Sequence, residues 1–415
     1  MSLDVSSALV RAIPAGVADP AEARDRWERR RVGVVWALLI LNTLTFFPST
    51  YSGLPLVLPI PSSIGKGITQ AALPVALIVA LTVNRRMAIR PGMFLFLGSL
   101  LAVEALLTTI EVDQASNAYR TLRFIEFIIT LWLLSPWWGR RDLLFIRCHL
   151  ISMYIVLGSV VLGILAAPSS ALAQGRLEGV FWPNPPTEVA EFSAVTLGIV
   201  VILWLEGLLP GRDTLIIVVA VGAVLILTHT RTALLAMLSG LLAGGLSLFL
   251  SNERVRRFFV VVSAVALTGA LTASGYVMKW WARGEFSNEL YSLTGRSKIW
   301  AGLLKIPRDQ FQMLLGSGLG SQGYLGSPID NSWLVAYNEQ GLISVALCGA
   351  MLLFLFVTAC FRASGVRRAL ALFLITYCAV TSYTESGLSA PSMIFLYLAI
   401  AASLIAPSAA DTSEL

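Results

Sequence analysis

Residues 231–250 read RTALLAMLSGLLAGGLSLFL, and Arg231 is the one charged residue in this run. A transmembrane helix needs roughly 20 mostly apolar residues, because each residue advances the helix by about 1.5 Å. Backbone groups in lipid must be paired within their own segment, so a continuous run of this length predicts a helix. The stretch therefore predicts a helical membrane protein.

The rest of the chain has the same character. It is 56% hydrophobic and 13% charged over 415 residues, whereas soluble domains carry about 25% charged residues. Its apolar runs are too long and too continuous for the alternating strands of a membrane barrel. They predict an all-α protein with about 12 spans, near 32–48, 67–83, 93–110, 123–138, 143–166, 189–206, 213–228, 231–250, 257–276, 333–360, 368–383 and 389–406.

Arginine residues in the connectors indicate the orientation. With the N-terminus inside, the inner connectors hold most of them: Arg85, Arg86, Arg90, Arg140, Arg141, Arg212, Arg254, Arg256, Arg257, Arg362, Arg367 and Arg368. Positive charge in short loops accumulates on the cytoplasmic side. We therefore expect cytoplasmic tails at 1–31 and 407–415 and a single membrane domain at 32–406. The net charge of +6 follows this pattern and does not indicate nucleic-acid binding.

One long polar segment interrupts the apolar runs. Residues 277–331 combine charges, aromatic residues and glycines, and the orientation above puts them outside the membrane. Within them, Arg296 opens a helix-like stretch. Four glycines at 316–323 lack the G-K-[ST] sequence of a phosphate loop and are interpreted as a tight turn. We expect this segment to form one wall of an active site that the helices position.

Arginines on the outer side oppose the charge bias, so each needs another explanation. Arg231 lies at the first turn of the eighth predicted span, where a charge is costly unless it is paired, faces water or extends to the interface. Arg123 and Arg176 lie in two other outer connectors. Glu188 and Glu191 stand near the start of the sixth span, either as interfacial carboxylates or facing a cavity.

The entry to the tenth span carries the densest group of polar residues. Asp330-Asn331-Ser332-Trp333-Leu334 leads into it, and Glu339-Gln340-Gly341 follows. Asp330 is interpreted either as a helix cap or as a base, since Asp is common at helix starts. Trp300 and Trp333 are interpreted either as stacking surfaces for sugar rings or as members of an interfacial aromatic belt.

These stretches together resemble the bacterial O-antigen ligase and polysaccharide polymerase superfamily of membrane glycosyltransferases. The likeness lies in Thr230-Arg231-Thr232-Ala233-Leu234-Leu235-Ala236, in Gly295-Arg296 with Trp300 and Gly316-Ser317-Gly318, in 330–334 with 339–341, and more weakly in 175–185. The resemblance implies a GT-C-like membrane fold with one long periplasmic loop. Ligases of the family carry His where this chain has Asp330, which favours a polymerase and leaves a ligase as the alternative.

The resemblance implies a glycan donor on undecaprenyl diphosphate and an acceptor hydroxyl on a glycan or lipid-linked glycan, with membrane lipid and a chain-length regulator as further partners. The leaving diphosphate gathers negative charge, which suits the forked guanidinium of Arg. By this likeness Arg231 and Arg296 bind the diphosphate and Asp330 is the base. The implied substrate-binding residues are Arg123, Arg176, Trp300, Asn331, Trp333 and Glu339. No cofactor is expected, and no metal, because the outer loops hold no DxD-like pair.

A lipid-linked glycan flippase is the alternative from another class of protein. A flippase would be expected to carry charge deep within its spans. Glu104 and Glu126 are the acidic residues well inside the early spans, whereas the charge concentrates outside. A structural membrane protein is a third interpretation, against which the charged loop argues. We therefore expect an enzyme of the cytoplasmic membrane with its site on the extracytoplasmic side.

Overall fold

The chain folds mainly into helices. The computed structural model describes residues 20–112, 115–140, 142–272, 296–320, 323–324 and 327–407. The helices are α1 (Pro20–Thr43), α2 (Ser62–Val83), α3 (Met93–Val112), α4 (Ala115–Leu134), α5 (Leu144–Ala166), α6 (Pro186–Leu205), α7 (Gly211–Leu227), α8 (Arg231–Phe249), α9 (Glu253–Thr272), α10 (Arg296–Leu304), α11 (Gln310–Leu315), α12 (Ser332–Phe361), α13 (Val366–Thr381) and α14 (Met393–Ile405). A two-residue antiparallel ladder pairs β1 (Gly323–Tyr324) with β2 (Ser327–Pro328).

Six of these helices, namely α2, α3, α5, α6, α8 and α12, are long and apolar enough to cross a membrane. Together they make this an all-α membrane protein of the multi-pass class. The other long helices, α1, α4, α7, α9, α13 and α14, coincide with predicted spans but are shorter or carry more charge. The count of about 12 crossings therefore stays a prediction.

Three helices form the centre of the body. Within α6, 78% of the apolar 18-residue stretch is buried, a larger share than in any of the other five candidate spans. Helix α14 is buried along its whole length, as expected for a short helix that is apolar all round. Its Phe395 meets the rings of Phe94, Phe124 and Phe127 at 5.3–6.0 Å. Helix α13 completes the centre and packs on α14 and α8.

Small residues bring α8 and α13 close together. Gly240 and Gly244 form a G-x-x-x-G pair, the spacing that lets two membrane helices approach. A Cβ at Gly240 would lie 2.8 Å from the Phe373 carbonyl oxygen, and one at Gly244 would lie 2.7 Å from the Ala369 carbonyl oxygen. Larger residues at these positions would force the two helices apart.

Several of the arginines predicted on the inner side make contacts at one end of the body, here called the arginine end. There Arg29 pairs with Asp25 and Asp142 at 2.6 and 2.9 Å, and Arg140 bridges the same two carboxylates. Other arginines bind carbonyl oxygens: Arg90 binds Trp138, Arg254 binds Trp204, Arg362 binds Ile405, and Arg367 binds Ala406. These side chains satisfy helix ends that would otherwise lack partners.

Two helices begin before the spans predicted for them. Helix α1 begins at Pro20, so the described part of the predicted tail is helical and continuous with the first predicted span. Helix α4 begins at Ala115, which puts Arg123 inside a helix rather than in a connector. Both helices begin with polar and charged residues, which a hydropathy pattern does not assign to a membrane span. Residues 1–19, 408–415 and part of the predicted loop 277–331, namely 277–295, 321–322 and 325–326, lie outside the described residues.

Candidate functional site

A cavity of about 640 Å³ opens at the end of the body opposite the arginine end, here called the cavity end. It is lined by the last residues of α1, the connector after it, and the first turns of α2, α4, α6, α12 and α14. This volume is in the usual range for small-molecule sites, about 300–1,000 Å³. Several helix starts therefore converge on one space.

Three cations line this cavity. Lys66 comes from α2, and Arg120 and Arg123 lie three residues apart on α4, a spacing that puts them on one face of the helix. Arg120 donates to the Leu319 carbonyl oxygen at 2.8 Å. Arg123 donates to the side chain of Asn42 and lies 5.8 Å from the centre of the Tyr119 ring. Both guanidinium groups are thus held in place by neighbouring residues of the cavity wall, since Leu319 and Asn42 also line it.

Four carboxylates line the same cavity. Glu188 and Glu191 lie one turn apart on α6, Glu385 belongs to the connector between α13 and α14, and Glu339 lies on α12. Glu188 accepts a hydrogen bond of 2.9 Å from the Thr45 hydroxyl. Of the two interpretations that the sequence left open for Glu188 and Glu191, the structure favours groups that face a cavity.

Helix α12 is broken where it meets the cavity. Gly341 has φ 71° and ψ −166°, so the helix stops and restarts there. The Asn338 and Glu339 carbonyl oxygens instead accept hydrogen bonds of 2.9 Å from the backbone of Ser317 and Gly318. The glycine turn therefore supplies hydrogen bonds to carbonyl oxygens that the break in α12 leaves without helical partners, so it is more than a surface turn.

Glycine is required where the turn and the break meet. Gly316 has φ 79°, a backbone region that other residues rarely adopt. A Cβ there would lie 2.3 Å from backbone atoms of Glu339 and Gln340, and one at Gly341 would lie 2.2 Å from the Leu314 carbonyl oxygen. The Gly-Ser-Gly and Glu-Gln-Gly stretches that the sequence singled out separately are thus two halves of one contact.

This contact leaves Glu339 inside the cavity wall. Its side chain is fully buried, and neither carboxylate oxygen has a hydrogen-bond partner among the described residues. Arg120 interacts with it electrostatically. A buried carboxylate without hydrogen bonds is costly, so Glu339 is a candidate ligand group rather than a packing residue.

Asp330 and Arg296 form an ion pair beside the cavity. Their closest atoms, Arg296 Nη2 and Asp330 Oδ2, are 3.2 Å apart, and Arg296 also donates to the Thr384 carbonyl oxygen at 3.1 Å. Burial raises the pKa of Asp330 above its ordinary value, and the Arg296 charge opposes that rise. Neither side chain lines the cavity itself.

Residues 331–333 bind the connector that follows α13. Asn331 is the N-cap of α12, accepting from Leu334 N at 3.0 Å, and its amide donates to the Tyr383 carbonyl oxygen. Ser332 donates to the Glu385 carbonyl oxygen at 2.7 Å, and Trp333 Nε1 donates to Ser382 Oγ at 3.1 Å. The cap interaction that the sequence assigned as an alternative for Asp330 therefore belongs to Asn331.

Arg176 supports the sharp turn between α7 and α8. Its Nε donates to the Thr228 carbonyl oxygen at 3.0 Å, and Nη2 lies 3.4 Å from Thr230 Oγ1. The turn itself needs a left-handed residue, His229 with φ 52°. Arg231 then begins α8, as predicted. Thr230 Oγ1 also reaches the Pro186 carbonyl oxygen, so this turn adjoins the start of α6.

The structure divides the predicted site residues into two groups. Arg123 and Glu339 line the cavity. The others lie around its rim. Arg296 pairs with Asp330, while Asn331 and Trp333 bind the 382–385 connector. Trp300 packs against Tyr383 with ring centres 5.3 Å apart, and Arg176 lies beside the turn that precedes Arg231.

Glu385 was not among the predicted site residues. This residue lines the cavity, and it interacts electrostatically with Arg296, Asp330 and Arg176, so it connects the rim to the cavity. The signal for it was weak: a single acidic residue in the short connector Thr384-Glu385-Ser386-Gly387 ahead of the last span. Arg120 and Lys66 also line the cavity, and neither was among the predicted site residues.

A comparison with protein-family models gives no match, and a comparison with curated protein sequences gives none either. The fold and the site therefore define the class: an all-α membrane protein with a charged cavity at one end of its helical body.

Proposed function

We propose that this protein is a membrane glycosyltransferase. It moves a glycan from undecaprenyl diphosphate to an acceptor sugar hydroxyl on the extracytoplasmic side, as a surface polysaccharide polymerase. The observation that carries the proposal is the cavity in which Arg120 and Arg123 share one space with Glu188, Glu191 and Glu385. Transfer from a diphosphate needs both kinds of group, cations for the leaving phosphates and a carboxylate for the acceptor proton.

In this proposal the arginines bind the donor diphosphate. Guanidinium groups bind phosphate oxygens in pairs and stay charged at every relevant pH. Arg123 and Arg120 act within the cavity, and Arg296 and Arg231 act at the rim. The sugar next to the diphosphate then lies near the carboxylates, and the aromatic side chains of Trp300 and Trp333 border its path.

The orientation is part of the same proposal. The arginine end lies in the cytoplasm, because positive charge accumulates there, and the cavity end faces outward. Lipid-linked glycans then enter the cavity from the membrane. Phe47, a half-exposed side chain, borders the cavity on this path. Joining the glycan to a lipid core, as a ligase does, requires the same chemistry and differs in the acceptor.

A lipid-linked glycan flippase remains the second candidate, favoured by one observation. Transporters bind substrates at interrupted helices near the middle of the membrane, and α12 is interrupted at Gly341 beside the buried Glu339. A flippase would move the lipid-linked glycan across a bilayer without breaking the bond between glycan and diphosphate.

The test is transfer by purified protein in detergent, where no bilayer remains to be crossed. The donor is the polyprenyl-diphosphate glycan extracted from the cells that make the protein, tritium-labelled. We expect longer glycans and free polyprenyl diphosphate, with and without EDTA. Arg231→Ala and Arg296→Ala should each lower the rate about 100- to 1,000-fold, as removal of an oxyanion donor does. Intact donor with folded wild-type protein would contradict the proposal.

A further inference from the structure

Glu385 is held in the cavity by the residues that resemble the family signature. Ser332, Trp333 and Asn331 bind the connector at Glu385, Ser382 and Tyr383, and Arg296 binds it at Thr384. Four consecutive residues of the connector are therefore fixed, three of them through carbonyl oxygens and one through a hydroxyl. Such contacts position a side chain more firmly than a free surface loop would.

Asp330 and Glu385 differ in what surrounds their carboxylates. Asp330 is paired with Arg296 at 3.2 Å and does not line the cavity. Glu385 lines the cavity, and among the described residues no donor is hydrogen-bonded to its carboxylate. A carboxylate that is already paired with a guanidinium is a weaker proton acceptor. Glu385 is therefore the better placed of the two to meet an acceptor hydroxyl.

Building on the glycan transfer proposed above, we propose that Glu385 is the general base of the reaction and that Asp330 is a positioning residue that holds Arg296. The acceptor O–H bond breaks and its proton passes to a Glu385 carboxylate oxygen. The acceptor oxygen forms a bond to the anomeric carbon while the bond from that carbon to the diphosphate oxygen breaks. The diphosphate leaves on its lipid with the electron pair, next to the arginines.

The surroundings suit this role. Burial raises the pKa of Glu385 to about 7, with Asp330 adding to the rise and Arg296 and Arg176 opposing it. Glu188 and Glu191 of α6 line the same cavity, and the Glu385 charge acts on both of them. A base works best when its pKa lies near the working pH. The carboxylate must be deprotonated to accept a proton, so transfer should fall as the pH drops below about 7.

The experiment compares Glu385→Gln with Asp330→Asn in the transfer assay, using the labelled donor across pH 5.5–8.5. Glu385→Gln should lower the transfer rate about 100- to 10,000-fold, the usual effect of losing a general base. The transfer rate that remains should not fall at acid pH. Asp330→Asn should lower the transfer rate less than about tenfold, since a partly exposed ion pair contributes little and the Thr384 carbonyl oxygen still holds Arg296. It should keep the fall at acid pH.

Two further variants control for misfolding. Glu385→Asp keeps the carboxylate but shortens it by one methylene, and we expect an intermediate rate with the acid fall retained. Asp213→Asn neutralises an exposed carboxylate of α7 that does not line the cavity, and it should transfer within about threefold of wild type, since exposed substitutions have small effects. Donor binding should be unchanged in Glu385→Gln.

The outcomes separate the two proposals. Wild-type transfer with an equally active Glu385→Gln would overturn the role of Glu385 and leave glycan transfer standing. So would an Asp330→Asn variant that alone loses the acid fall. A folded wild-type protein that leaves the donor intact would instead overturn the glycosyltransferase proposal itself.

Discussion

The two ends of the helical body use the same residue types differently. At the arginine end, Arg29 and Arg140 pair with Asp25 and Asp142, and other arginines bind helix carbonyl oxygens. At the cavity end, cations and carboxylates line one space, and the buried Glu339 carboxylate accepts no hydrogen bond from any described residue. The charged side chains at the arginine end are thus paired within the protein, whereas the Glu339 carboxylate at the cavity end stays available for a ligand.

The largest difference between the ends should appear on removing an arginine. Arg123→Ala removes a cavity guanidinium, and we expect transfer to fall about 100- to 1,000-fold, by analogy with loss of an oxyanion donor. Arg123→Lys should recover only part of the rate, because a point charge does not reproduce the fork. Rates per folded protein measure this. An alanine variant with the wild-type rate would remove Arg123 from the site.

A second difference should appear at two strained glycines, one at each end. Gly316→Ala places a Cβ 2.3 Å from the Glu339 backbone, and Gly139→Ala places one 2.3 Å from the Pro407 carbonyl oxygen, both at positive φ. Each should lower stability by about 1–3 kcal/mol. Gly316→Ala alone should also lower the transfer rate of the protein that stays folded. Equal rates in the two variants would mean that the broken α12 does not shape the site.

The smallest effect is expected from Arg140→Ala at the arginine end. Its ion pairs with Asp25 and Asp142 are partly exposed, so their loss should cost about 0–1 kcal/mol of stability. Transfer at saturating donor should match wild type, which makes this variant the control for Arg123→Ala. A tenfold loss of transfer would show that the two ends are not independent.

Much of the fold could be predicted from the sequence, because the hydropathy of a segment depends only on the residues within it. Apolar runs predicted most of the long helices within a few residues. The arginine-rich connectors predicted one orientation in the membrane; Arg90, Arg254 and Arg367 lie at the same end of the body, and the orientation itself stays a prediction. Helices α1 and α4 start before the predicted spans 32–48 and 123–138, because their first residues are polar or charged and a helix that continues beyond its apolar run leaves no hydropathy signal.

The site was only partly predictable, because its contacts join distant segments. The 316–318 turn meets the backbone at 338–341, and residues 331–333 hold Glu385 some fifty residues later. No spacing within one segment reveals either contact. Residue chemistry could nominate Arg296 and Asp330, yet only the fold shows that they pair with each other and that Glu385 lines the cavity.

The central claim is that the lipid diphosphate glycan binds at the cavity end, and photo-crosslinking tests it most directly. A photoreactive phenylalanine analogue would replace Phe47, which lines the cavity, or Phe361, the exposed last residue of α12 at the arginine end. After illumination with the labelled donor, we expect label on the protein modified at position 47 and none above background at position 361. Equal labelling at both positions, or labelling only at position 361, would contradict the account.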